Sequence, residues 1–184
     1  MIVVLLILVI VSLLGVAAVQ ISQMATKSAR NERDIQIAWQ AAEAVLLDAE
    51  LDIVGKVAGD RSKIFTNNDT DISKFIEGCG NSGVSKGLCS FQKNTLPAWL
   101  SVDFMETTSP KYVNFGDFTD RTFSAGSAGI QPAAAPRYII EILDDPNVER
   151  TKSVEYRKYI YRVTAVGFGP SINTQVVLQT IYRN

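Results

Sequence analysis

The sequence has 184 residues, enough for one domain, with 18 basic and 19 acidic side chains, a net charge of −1 and 47% hydrophobic residues. It contains no histidine, which excludes imidazole-based hydrolase triads and His-based zinc sites, and it has no Lys/Arg stripe to neutralise a nucleic-acid backbone. Cys79 and Cys89 are too few for a structural zinc site and enough for one disulfide.

No charge occurs before Lys27, and within residues 1–19 only Ser12 and Gly15 fall outside the hydrophobic set. As a helix these 19 residues span about 29 Å, the thickness of a bilayer hydrocarbon core. The rest of the chain has the apolar fraction of an ordinary soluble domain, and no second run of this length exists, so a purely cytosolic enzyme and a multi-pass membrane protein are both disfavoured. The run is longer than a signal-peptide core and lacks a charged start, which favours a permanent anchor. Lys27, Arg30 and Arg33 would by the positive-inside rule place the following domain in the cytoplasm, whereas a disulfide points to an oxidising compartment. A short basic leader ahead of Met1, removed on maturation, would resolve that conflict.

No hinge follows the anchor. Apolar or small residues recur at three- and four-residue intervals at Ile21, Met24, Ala25, Ser28, Ile35, Ala38, Trp39, Ala42, Val45, Leu46, Ala49, Ile53 and Val57. Residues 40–51 are strong helix formers and no proline precedes Pro97, so the pattern predicts a single helix from about residue 2 to 56, ended by Gly55 or Gly59. Glu43, Asp48, Glu50 and Asp52 read as its solvated face.

Residues 59–135 are rich in Gly, Ser, Asn, Asp and Thr and read as loop with short elements. Asn67 to Asp71 form a polar turn cluster that lacks the glycine and distant glutamate of an EF-hand loop. Cys79 and Cys89 enclose nine residues with three glycines and two serines, a loop that a disulfide would staple. A first strand is predicted over residues 111–115, and residues 126–135 read as a flexible connection. The last third carries β-branched and aromatic runs over residues 137–143, 157–166 and 174–182, with turns at Asp144-Asp145-Pro146-Asn147 and Gly167-Phe168-Gly169-Pro170. In the second run Tyr159, Tyr161, Val163 and Ala165 alternate with Lys158, Arg162 and Thr164, predicting one face on the helix and one in water. The expected fold class is α+β: a long N-terminal helix packed under a three- to four-stranded antiparallel sheet.

This plan and several sequence blocks resemble the PilX family of minor pilins, whose fold is the type IV pilin fold. Residues 40–50, QAAEAVLLDAE, are close to that family's QAAEAALRDAE signature. Gly87-Leu88-Cys89 with Pro97-Ala98-Trp99 resembles its middle segment, and residues 136–141, 161–167 and 174–179 resemble its C-terminal strands. The resemblance implies a membrane-spanning, filament-core segment over residues 1–26 and a periplasmic pilin domain over 27–184 that includes the amphipathic half of the helix. It implies cleavage of a leader, methylation of Met1 as the mature N-terminus, residence in the inner membrane and later incorporation into the pilus, at its tip. The implied partners are other minor pilins, the major pilin, a tip adhesin and the assembly platform, in support of motility, adhesion or DNA uptake. No cofactor, metal, catalytic residue or direct nucleic-acid contact is expected. A minor pseudopilin of type II secretion and, less favoured, a single-pass sensor or adaptor are the alternative readings.

Leu5 and Gly15 are the candidate filament-packing positions. Most pilins carry a glutamate at mature position 5, paired with the N-terminal amine of a neighbouring subunit. An unpaired carboxylate in an apolar core is costly, so Leu5 suits a subunit with no neighbour above it.

Overall fold

The computed structural model describes residues 1–55, 60–66, 70–93, 96–126, 130–146 and 159–183. Val57, Gly59, Asn67 to Asp69, Asn147, Arg157 and Lys158, all named in the predictions above, lie outside the described residues. Helix α1 runs unbroken from Ile2–Val54 and stops where Gly55 takes a left-handed conformation (φ 66°), its N–H bonding the Leu51 carbonyl. Glycine meets this demand at a helix C-terminus because it has no β-carbon to clash.

The sheet is built from β1 (Leu88–Ser90), β2 (Val113–Asn114), β3 (Arg137–Asp144), β4 (Tyr159–Phe168) and β5 (Gln175–Tyr182), in the order β1-β3-β4-β5, with β2 also on β3. The three long strands coincide closely with the predicted β-branched runs and pair antiparallel. The prediction of a wholly antiparallel sheet fails at β1, which runs parallel to β3 with Leu88 opposite Ile140. The cause is connectivity. After Ser90 the chain passes through the short helix α2 (Ala98–Ser101) and β2 before entering β3, and a crossover of that length returns it in the same direction. The strand predicted over residues 111–115 is thus the second, reduced to a two-residue pairing with Arg137 and Tyr138.

Two cores flank the sheet. On the helix side Val45, Ala49 and Ile53 pack with Phe65, Tyr138, Ile140, Tyr161 and Val163, among others. On the other side Ile139 packs with Cys79, Cys89, Ala98, Val102 and Tyr112. The second face of β4 is therefore largely covered: Thr164 and Val166 are each 2% exposed and Phe168 is fully buried, and only Arg162, paired with Glu141, stays partly exposed on it. The Arg137 guanidinium lies 5.0 Å from the Phe168 ring centre and 4.5 Å from that of Tyr112, and Thr164 accepts a hydrogen bond from Gln179. The middle segment, legible only as loop, covers this face.

Candidate functional site

The outstanding feature of the surface is α1 itself. Every residue up to Arg33 is exposed, and burial begins only at Ala38. Leu5 is 61% exposed, Leu13 65% and Ile21 68%, and a β-carbon at Gly15 would meet nothing within 4 Å. An apolar rod of this length has the dimensions to cross a membrane. Two of its hydroxyls are satisfied within the helix: Ser12 donates to the Val9 carbonyl and Thr26 to the Ser22 carbonyl. A hydroxyl satisfied in this way needs no polar partner beyond its own helix, which suits it to an apolar setting.

The lower half of α1 holds the domain through small residues. Ala38, Ala41, Ala42, Val45, Ala49 and Ile53 form the buried stripe, whereas Ile35 and Trp39, predicted on the same stripe, are 38% and 48% exposed. Trp39 instead lies along the helix surface and donates from Nε1 to Glu43 at 2.8 Å. Trp99, by contrast, is half-buried against the second core.

Asp48 and Asp52 correct the reading of a solvated acidic face, since both are buried at the centre of the helix–sheet junction. The Asp48 carboxylate accepts from the Gly116 N–H at 2.8 Å and from the Thr119 hydroxyl, with the Arg121 guanidinium at 3.5 Å. It thus fastens the turn after β2 to the helix. Asp52 accepts from the Tyr138 hydroxyl at 2.8 Å and faces the guanidinium of buried Arg61 at 3.5 Å. Burial raises the Asp52 carboxyl above the usual carboxylate range, against the opposing pull of Arg61 and the Tyr138 hydrogen bond. Burial likewise lowers Arg61 and pushes Tyr138 well up. Arg61 also stacks 3.8 Å from the Phe118 ring centre, which offers its flat face a partner where hydrogen bonds are absent. The sequence pattern carried no signal for these contacts: apart from Arg61, which follows Asp52 after the helix ends, the partners lie 68 to 86 residues away from the aspartates along the chain.

Cys79 and Cys89 are joined in a disulfide. It ties the turn at Cys79 to β1, whose other side Ile76 bridges at Cys89, so both the staple and the bridge fix the start of the sheet. Among the described residues no group of three or more His, Cys, Asp or Glu is arranged to hold a metal. The geometry is that of a domain fastened to one end of a rod, against whose other end none of the described residues packs.

Comparison with known proteins identifies a family. A family model for the C-terminal part of the type IV pilus assembly protein PilX matches residues 85–184, and one for the PilX N-terminal part matches residues 1–47. No curated protein and no solved structure matches the chain. With more than half of its length matched by the C-terminal model, and the front of the bare rod matched by the N-terminal one, the chain belongs to the PilX family of type IV pilus assembly proteins.

Proposed function

We propose that this chain is a minor pilin that primes type IV pilus assembly within a tip-located complex of minor pilins. The observation carrying this reading is the exposed apolar half of α1, continuous with the half that holds the domain. In the membrane that surface meets lipid. On extraction into a filament it must be covered, and the only chemically suitable cover is the equivalent helix of neighbouring subunits. The domain stands on the periplasmic side before assembly, where an oxidising environment maintains the Cys79–Cys89 bond. Met1 is the methylated mature N-terminus, and Leu5 and Gly15 lie in the filament packing surface.

Mass spectrometry of the native N-terminus tests maturation: Met1 carrying one methyl group and no leader is the expected result. Deleting the gene is expected to reduce surface pili and, with them, motility, adhesion or DNA uptake. Loss of protein export with normal pili would reassign the chain to a secretion pseudopilus, and an unprocessed N-terminus with normal pili would overturn the proposal.

A further inference from the structure

The two ends of the sheet are treated differently. At one end β1 is three residues long, is stapled through Cys89 and is bridged on its far side by Ile76. At the other end β5 has no strand beyond it among the described residues. It is eight residues long, and its sequence QVVLQTIY contains no charge and no proline. Its pairing with β4 runs without a bulge from Phe168 opposite Gln175 to Tyr161 opposite Tyr182. Charge, proline, bulging and shortness are the means by which proteins blunt an open edge, and β5 uses none of them.

The hydrogen-bond phase identifies which groups are open. At the start of the hairpin the Gly169 N–H donates to the Thr174 carbonyl, so Thr174 and every second residue after it direct their main-chain groups at β4. The phase agrees across the sheet, since the Ile140 N–H points away from β4 to the Gly87 carbonyl. Gln175, Val177, Gln179 and Ile181 therefore present their N–H and C=O groups to the open side. Val177 and Ile181 are also 53% and 62% exposed on the sheet face away from α1, beside two neutral glutamines. A row of alternating donors and acceptors is complemented along its whole length only by another extended main chain, and the absence of charge selects an uncharged, apolar strand.

The geometry points to β5 as the acceptor for an extended, uncharged strand from a different pilus subunit, docked by main-chain hydrogen bonds to Gln175, Val177, Gln179 and Ile181. The inference rests on the pilus-subunit reading for the identity of the donor. A different subunit is the occupant because the family assembles with other pilus components, whereas self-pairing would leave this edge consumed before assembly.

Proline gives a selective test. Val177→Pro and Ile181→Pro each remove an outward N–H while taking nothing from the β4 ladder, a position where an edge strand tolerates proline. Leu178→Pro, which removes a ladder bond, is the unfolding control. Full-length protein in nanodiscs would be followed by hydrogen exchange, alone and after co-expression with the other pilus subunits of the same organism. The expected result is fast exchange at residues 177, 179 and 181 alone, at least tenfold slowing in the complex, and loss of that slowing together with loss of piliation in the folded V177P/I181P variant. Unchanged exchange in the complex, or normal piliation in that folded variant, would overturn the inference. Slowing that depends on the concentration of this chain alone would also overturn it, by making a second copy the occupant. If gene deletion itself leaves pili intact, the pilus reading fails instead, so the two failures are distinguishable.

Discussion

Gly167 on β4 crosses Ala38 on α1 so closely that a β-carbon at position 167 would lie 2.1 Å from the Ala38 carbonyl oxygen and 2.4 Å from the Ala42 nitrogen. The sheet and the helix touch there backbone to backbone. The rod and the domain are thereby one body, and a pull on α1 reaches the sheet without passing through a linker.

Gly167→Ala is accordingly expected to lift β4 off the helix. Neither obstructing atom belongs to a flexible side chain, so relief requires moving whole elements, with a loss of about 3 kcal/mol, at the upper end for overpacking. Thermal melting of the full chain in detergent measures it. A melting temperature within a degree of wild type would show that the crossing is not as tight as the geometry states.

Asp48→Ala removes the acceptor for the Gly116 N–H and the Thr119 hydroxyl and the counter-charge of Arg121. Two of these donors are left facing an apolar methyl, and a loss of about 3 kcal/mol is expected. Asp48→Asn keeps one acceptor oxygen and should recover part of it. Faster proteolysis confined to residues 115–121 in the alanine variant would identify the released turn.

The ion pair beneath β3 behaves differently. Asp52→Asn strands the Arg61 guanidinium in the core and should destabilise by roughly 3 kcal/mol, whereas Asp52→Asn combined with Arg61→Met removes both charges and retains the Tyr138 hydrogen bond. The double variant is expected to match or exceed wild type. Because burial raises the folded Asp52 carboxyl above its unfolded value of about 3.9, the folded state holds more protons between the two values. Wild-type stability contributed by this group is therefore full below about pH 4 and falls as pH rises through the folded value. The double variant lacks that dependence, so its advantage should widen from pH 4 upward. An advantage that narrows instead would contradict the sign.

The elements with a long repeat were legible in the sequence. Ala38, Ala42, Val45, Ala49 and Ile53 recur with the helical period, and the runs that became β3, β4 and β5 are long enough to show β-branched enrichment. Leu88-Cys89-Ser90 is too short to carry any period, and its parallel pairing is decided by where the chain returns 47 residues later. Asp48 and Asp52 were misread for a related reason. On one helix a carboxylate looks solvated, and only Gly116, Thr119, Tyr138 and Arg61, brought in by the fold, make its burial tolerable.

Reducing the Cys79–Cys89 bond should loosen β1 selectively. The bond closes a short loop, with a sequence separation of 10, and its loss is expected to lower stability by roughly 2 to 3 kcal/mol. Amides of Leu88–Ser90 should exchange faster on reduction while those of β4 and β5 change only by the global loss. Equal acceleration throughout the sheet would mean that the staple acts on the whole fold and not on its first strand.

The proposed place at the pilus tip makes a demand on Leu5, which is 61% exposed on the first turns of α1. A glutamate there would need a cation, and the one suited to it in a filament is the N-terminal amine of a subunit stacked above. A subunit at the tip has none, so its carboxylate would sit unpaired in an apolar setting, at a penalty of roughly 3 kcal/mol for a charge at membrane depth. Leu5→Glu is therefore expected to leave the domain folded, since the nearest buried helix residue is Ala38, but to lower the yield of the minor-pilin complex and the number of pili. Leu5→Gln, polar but uncharged, should have a smaller effect, and Leu5→Ile none. Electron microscopy of surface pili and co-purification of the complex read both arms. Pili and complex at wild-type levels in the glutamate variant would mean that position 5 of this chain does have a cation above it, and the subunit would then belong below the tip.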